Sequence, residues 1–350
     1  MTRSIKVYDD IIISIIKIDD YDIEKQYYYI MEKTILAIGL LMLVGTLYNV
    51  QSTPELQLAA QFTNYQATFN KQYSGSELLY RLQVYEANLA DIKARNQKLG
   101  REIFGETQFT DLTDEEFAAT YLTLKVNPDD LEVPKAQFEN VNATPIDWRT
   151  RGAVNKVKDQ GQCGSCWAFS TTGVLEGFYK VQTGELPDLS EQQLVDCSTL
   201  IDFNQGCDGG MPSRALNYVK RNGLTTQDAY PYEHIQNKSC KIKGGAYKVA
   251  GSTAIAANEA AHQAALQNGP ISVAVKASDW KNYKPKGDDF IFPDSACTGD
   301  VNHAVLAVGF TSEALIVKNS WNTVWGVDGY IYLQGGKNTC SVWDNSVVPK

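Results

Sequence analysis

Four residues, in two groups far apart in the chain, carry side chains that could support acyl transfer to a thiol. The run Gln160-Gly161-Gln162-Cys163-Gly164-Ser165-Cys166-Trp167-Ala168-Phe169-Ser170 places two cysteines two residues apart. Half a zinc site would need a second ligand pair at matching spacing, and none follows. A redox dithiol would sit in thioredoxin-like surroundings, which are missing around Trp167. One bridging cysteine beside one nucleophile remains. Residues 167–182 read as a helix, with Trp167, Ala168, Val174, Leu175, Phe178 and Val181 on a broad apolar face and a stop near Gly184. Cys166 then stands at a helix N-terminus, where backbone N–H groups and the macrodipole favour the thiolate, the attacking species. Gln160 offers a side-chain N–H that, with the Cys166 backbone N–H, would form an oxyanion hole.

A thiolate needs a proton partner, and the chain has three histidines. His234 lies in a Tyr-Pro-Tyr-Glu-His loop and reads as exposed. His262 lies in an alanine-rich helix, 256–267, and reads as a surface residue. His303 opens an apolar strand, 303–310, and a second strand, 314–318, leads into Asn319-Ser320-Trp321. With Thr311 at the centre of the turn, His303 and Asn319 lie eight residues to either side. This register makes them cross-strand partners, close enough for Asn319 to fix the imidazole's orientation and tautomer, with Trp321 shielding the bond. A one-residue slip would break the pairing.

The rest of the chain must position these groups. A length of 350 residues corresponds to roughly two domains. The formal net charge of -9 argues against a nucleic-acid binder, and three histidines argue against a His-rich metal enzyme. The seven cysteines all lie at or after Cys163, and an odd count leaves one thiol over once three bridges form. Met31 opens a segment with a short polar lead and an apolar run, 35–47, which reads as a secretory signal cut after Ser52. The acidic, Ile- and Tyr-rich residues 1–30 do not fit such a leader, so translation is expected to begin at Met31. Residues 53–124 read as helical. Thr53-Pro54-Glu55 starts one helix with Leu58, Phe62, Tyr65, Phe69 and Tyr73 on one face. A second helix, 76–96, carries Leu78, Leu82, Tyr85, Leu89 and Ile92, with Glu77 placed to pair with Arg81. Pro128, Pro134 and Pro145 mark a linker, with a maturation cut expected in 137–144. Asn142 and Asn237 begin N-glycosylation sequons.

Two of these segments carry a resemblance. Glu77, Arg81, Tyr85, Asn88, Ile92 and Asn96 keep the spacing of the ERFNIN motif, with Tyr85 in place of Phe. Gly105, Thr107, Phe109 and Asp111 are similar to the GNFD motif, with Thr107 in place of Asn. Both motifs mark inhibitory propeptides of cathepsin L-like proteases. Together with the Cys166 stretch, His303 and Asn319, they make residues 53–350 resemble the papain family of cysteine proteases. Asn302 stands before His303 where many members have Asp, and Asn322 follows Trp321 where Gly is usual.

The resemblance implies an α+β, two-lobe fold, one lobe helical and one barrel-like, behind a helical propeptide. It implies a signal at 31–52, a propeptide at 53–141 and a peptidase domain at 142–350. Cys166 would be the nucleophile, His303 the base, Asn319 the orienting residue and Gln160 the oxyanion donor. The bridges would be Cys163–Cys207, Cys197–Cys240 and Cys297–Cys340. Gly209 and Gly210 would hold an extended substrate. Met211, Pro212, Ala274, Val301 and Asn345 would form the S2 pocket, favouring Leu or Phe over Arg. With no insertion like the occluding loop of cathepsin B, the implied activity is that of a cysteine endopeptidase made as a zymogen. Its partners would be protein and peptide substrates and its own propeptide, and the mature form would be a monomer. No metal or organic cofactor is called for. The implied location is the secretory pathway, leading to a lysosome-like or digestive vacuole or to secretion. Two competing readings are a silent homologue acting as an inhibitor or scaffold, and a thiol peptide transferase. Activity that needs Cys166 separates the first from an enzyme, and product analysis with an amine acceptor separates the second.

Overall fold

A computed structural model describes residues 53–126, 135–136 and 143–350. The expected signal, residues 1–30, the 137–142 part of the cut window and the Asn142 sequon lie outside the described residues. The chain divides into two compact units between Glu86 and Ala87.

In the first unit, α1 (Pro54–Thr68) starts where the Thr53 hydroxyl accepts the Leu56 N–H and Pro54 occupies the first turn. The helix is shorter than its apolar spacing suggests. Phe69 is already the C-cap and Asn70 adopts a positive φ of 51°, so Tyr73 lies beyond it. Tyr73 nevertheless stacks on Phe62. Tyr85, on α2 (Gly75–Leu99), is fully buried against Phe62 and Tyr65, with ring centroids 5.1 and 4.8 Å away. An aromatic ring is what this position needs, and the Tyr-for-Phe change keeps it.

In the second unit, the later part of α2 explains why its motif specifies asparagines. Asn88 donates to the carbonyls of Thr110 and Leu112 at 2.7 and 2.9 Å. Asn96, buried, donates to the Phe104 carbonyl and accepts the N–H groups of Ile103 and Phe104. Each side chain stands in for a backbone partner where the chain turns back, pairing backbone groups that burial would otherwise leave without water. The Thr107 hydroxyl donates to the Lys281 carbonyl at 2.7 Å. A capping box between Thr113 and Glu116 then starts α3 (Asp114–Tyr121).

The remainder of this unit is a helical layer and a sheet. The helices are α4 (Cys166–Thr183), ended by Gly184 in the left-handed conformation, α5 (Glu191–Cys197), α6 (Pro212–Asn222) and α7 (Glu259–Leu266). Among the described residues, nine strands form one mixed sheet: β1 (Lys135–Ala136), β2 (Ile146–Asp147), β3 (Ser252–Ile255), β4 (Ile271–Val275), β5 (Ile291–Phe292), β6 (His303–Phe310), β7 (Ala314–Lys318), β8 (Tyr330–Gln334) and β9 (Asn345–Pro349). Their order is β1-β3-β9-β4-β6-β7-β8-β5, with β2 on β6. β4 and β6 are buried along their whole length, so they read as continuous apolar runs rather than alternating ones. One apolar core gathers around Trp167, Leu175, Leu194 and Leu216, and another around Val273, Trp280, Trp321 and Trp325. Disulfides join Cys163 to Cys207, Cys197 to Cys240 and Cys297 to Cys340. Each restrains the unfolded chain, worth about 2–4 kcal/mol.

Two expectations are corrected. β6 and β7 pair Leu306 with Lys318 and Ala307 with Val317, two residues off the register read from the turn. A bulge between Ala307 and Gly309 shifts the register again, and such an insertion leaves no mark on apolar spacing. Continuing the inner register places Trp321, not Asn319, opposite His303. An offset of two keeps Asn319 on the same face, within diagonal reach. The other correction concerns His262, which is buried, not on the surface. Its Nδ1 lies 2.8 Å from the Asn258 carbonyl and its Nε2 2.8 Å from Ser346 Oγ. Burial pushes the His262 imidazole down to about 4.

Candidate active site

Cys166 is the first residue of α4, fully buried, and the one free cysteine among the described residues. His303 is the first residue of β6. The start of β6 lies against the start of α4: the backbone N–H of Ala304, the residue after His303, bears on the Cys166 thiol. Asn319 Oδ1 lies 2.8 Å from His303 Nε2 and also accepts the Ser320 N–H. An amide oxygen can only accept, so Nε2 carries the proton and Nδ1 keeps its lone pair. Nδ1 is buried with no hydrogen-bond partner, which leaves it free to take a proton. Trp321 stacks on the imidazole, centroids 4.7 Å apart, and is itself fully buried.

Gln160 is buried and held from three sides. Its N–H donates to the Ser320 carbonyl, Oε1 accepts from Ser320 Oγ at 2.8 Å and from Trp321 Nε1 at 3.1 Å, and Nε2 donates to the Cys163 carbonyl. With Oε1 so fixed, the amide's second N–H is free of those bonds and can serve another acceptor.

The segment after α3 runs across these residues. The Thr123 hydroxyl donates to the Gly164 carbonyl at 2.8 Å. The Leu124 N–H donates to the Asn302 carbonyl and the Lys125 N–H to the Gly210 carbonyl. Leu124 and Gly210 form a parallel bridge. Gly209 has φ 114°, and a Cβ there would stand 1.9 Å from the Thr123 carbonyl oxygen, so only glycine permits the approach. Phe109 and Phe117 set their rings edge-on to Trp321, at 5.4 and 5.2 Å. Leu124 joins the apolar cluster of Met211 and Ala274, against which Val301 packs. Asn345 is the cross-strand partner of Ala274 on β9, and Pro212 opens α6 beside Met211.

Burial at this site bears on the charge state of both Cys166 and His303. Burial pushes the Cys166 thiol up to about 11, outweighing the Ala304, Trp167 and Thr123 backbone N–H groups that favour the thiolate. Burial pushes the His303 imidazole down to about 4, against the smaller opposing effects of Asn319 and the Tyr121 backbone. The helix N-terminus is where the sequence reading placed it, but in this closed state desolvation is the largest effect on both groups and favours the neutral form of each.

Two departures from the motif find their reasons. Asn322 has φ 62°, a left-handed conformation that asparagine tolerates better than most residues, and its Oδ1 accepts the Thr323 N–H. Asn302 turns its side chain away from His303, accepting the Ala277 N–H and donating to Ser278 Oγ. The Asn237 amide nitrogen donates to the Asp196 and Glu233 carboxylates, so a glycan there, which replaces one of the two amide hydrogens, would remove one of these bonds.

Sequence reading missed two charged groups. Lys158, with little exposure, pairs with Glu191 and Asp188 at 2.7 Å and with Glu176 at 3.4 Å, behind the site. A loop at 279–289 grips the covering segment: Asp279 pairs with Arg95 at 3.0 Å, Asp289 with Arg101, and buried Lys281 reaches Asp114, Asn88 Oδ1 and the Leu112 carbonyl. These pairs join residues some 170–190 positions apart, and no local spacing announces them.

The comparisons with known proteins agree with this arrangement. Residues 142–350 match the papain family cysteine protease profile, and residues 62–117 match the cathepsin propeptide inhibitor domain. Digestive cysteine proteinase 1 of Homarus americanus is 40% identical over 319 residues, covering 84% of this chain and 96% of that protein. Cysteine proteinase 1 of Dictyostelium discoideum is 38% identical over 317 residues, covering 82% and 91%. The structure of digestive procathepsin L 3 of Tenebrio molitor larval midgut superposes with a TM-score of 0.74 at 34% identity, covering 83% of this chain and 98% of that one. The chain belongs to the papain family of cysteine proteases and is made as a zymogen behind a cathepsin-type inhibitory propeptide.

Proposed function

We propose that this protein is a cathepsin L-like endopeptidase in which Cys166 is the nucleophile, His303 the general base and acid, Asn319 the orienting residue and Gln160 an oxyanion donor. The propeptide covers 53–141, the peptidase domain 142–350, and the cut falls within 137–144. Removing the cover returns water to the pair, so the thiol proton passes to His303 Nδ1 and the helix N-terminus favours the thiolate left behind. The thiolate attacks the peptide carbonyl. The oxyanion is held by the Cys166 backbone N–H and Gln160 Nε2, and His303 returns its proton to the departing amine. Water, deprotonated by His303, then cleaves the thioester and releases the acid. The single observation that carries the reading is the free, buried thiol at the start of α4, against the start of a strand whose first residue, His303, has its Nε2 tied to Asn319.

Leu or Phe is preferred at the second residue before the cut, and Arg is poor. This rests on Leu124 lying in the same apolar cluster as Met211 and Ala274, and on uncharged Asn345 beside them. Gly209 and Gly210 hold the substrate backbone. The enzyme works in the secretory pathway, in a lysosome-like or digestive compartment or after secretion, and as a monomer. The test is hydrolysis of fluorogenic peptides with Leu, Phe or Arg at that position, after acid incubation with a reductant, beside Cys166→Ala. Activity with Leu and Phe that vanishes in the variant is expected. Propeptide removal without any hydrolysis would instead favour an inhibitor, and strong transfer to an added amine a transferase.

A further inference from the structure

Tyr232 lies in the segment 230–237, where sequence reading saw only a loop. Its hydroxyl donates to the Gln160 carbonyl at 2.8 Å. The same oxygen lies 2.6 Å from Ser165 Oγ. A phenol has one proton to give. With that proton on the Gln160 carbonyl, the Ser165 hydroxyl must donate to the phenol oxygen. Ser165 is the residue before Cys166 and the N-cap of α4, yet its side chain makes no capping bond. Its other contact, to the Cys163 carbonyl, is longer at 3.3 Å.

From these bonds we infer that Tyr232 is a positioning residue for the oxyanion hole, its hydroxyl tying the backbone of Gln160 to the residue that precedes Cys166. The two proposed oxyanion donors come from separate segments joined by a loop with a left-handed Gly161, φ 57°. Ser320 and Trp321 fix the Gln160 amide and N–H, and Tyr232 fixes the carbonyl facing the loop. The Tyr232 ring is itself held edge-on by Phe169, centroids 4.9 Å apart. Burial keeps the phenol well above its usual value, so it remains a donor throughout the working pH range. Donor placement matters because a hole acts only when its N–H groups already point at the developing charge.

The inference rests on the protease reading above. It is tested in the full-length chain, matured as wild type, with Tyr232→Phe. Losing the tie should lower kcat about tenfold while KM stays within about twofold, a fraction of the loss from deleting an oxyanion donor outright. Affinity for a peptide aldehyde, which forms a tetrahedral adduct, should weaken by a similar factor. Alkylation of Cys166 by iodoacetamide needs no oxyanion hole and should stay within about twofold of wild type. Ser165→Ala removes the other half of the tie and should show the same pattern more weakly. Equal loss of turnover and alkylation would mean a general packing role and overturn the inference, as would wild-type kcat and aldehyde affinity in Tyr232→Phe. A wild type that alkylates but cleaves no peptide overturns the protease reading, and this inference with it.

Discussion

The covering segment is held at two places by different physics. Across Cys166 and His303 it uses one hydroxyl bond, from Thr123 to Gly164, two backbone bonds, Leu124 to Asn302 and Lys125 to Gly210, and the apolar Leu124 side chain. At the 279–289 loop it uses charge, with Arg95, Arg101 and Asp114 set against Asp279, Asp289 and Lys281. The first contact lies over the two residues proposed to react, where burial favours their neutral forms. The second supplies grip through these charge pairs, while the Trp280 ring of the same loop stands edge-on to His303 at 6.3 Å between centroids. Inhibition and retention are therefore separable.

That separation can be broken from the cleft side first. Gly209→Ala places a methyl on the Thr123 carbonyl, which the crossing cannot accommodate. The largest effect is expected here: inhibition of the mature enzyme by added propeptide should fall more than about tenfold, the equivalent of 1.4 kcal/mol or more. On the clamp side, Lys281→Met removes a buried ammonium with three partners. Hydrogen bonds to charged groups are worth about 1.5–3 kcal/mol, so propeptide affinity should fall roughly ten- to a hundredfold. Turnover of the mature enzyme should be unchanged. Arg95→Ala removes a half-buried pair and should cost only a few-fold. Asp289→Asn should be smallest, since exposed pairs contribute little. Arg101 holds the Asp289 carboxyl below its usual range, so its contribution is present above the ordinary carboxylate value and lost only as pH falls through the lowered one. Asp289→Asn should therefore leave the pH at which the propeptide releases unchanged above about 4.

The reacting pair sets a further pH test. On the proposed roles, opening of the wild type moves a proton from Cys166 to His303 and takes up none from solution. In Cys166→Ala only His303 remains, at about 4 when closed and near its ordinary 6.5 when open. The open state then binds the extra proton, so closure is fully stable above about 6.5 and weakens as pH falls toward 4. Propeptide affinity for Cys166→Ala should drop by up to about tenfold per pH unit across that window. A flat titration would contradict the buried, neutral histidine.

How far the sequence alone reaches depends on the range of each interaction. The Cys166 stretch was legible because the nucleophile, the helix behind it and Gln160 are neighbours in the chain. His303 and Asn319 were legible as a pair, but their register was not, because the bulge near Val308 and the true turn centre depend on packing. His262 has the surroundings of a surface helix in sequence, and only β9, arriving with Ser346, buries it. The Lys281 clamp and the Lys158 cluster join distant charges that follow no period. Asn322 was visible as a departure, and its left-handed backbone supplies the reason.

The central claim is that the covering segment keeps the Cys166–His303 pair neutral by burying it. The direct measurement is ultraviolet titration of the thiolate, taken as the difference between wild type and Cys166→Ala, before and after propeptide removal. The account predicts no thiolate signal near pH 6 in the full-length chain, with one emerging only toward about 11, and a clear signal near pH 6 in the mature enzyme. A full-length chain that already shows the thiolate at pH 6 would contradict it.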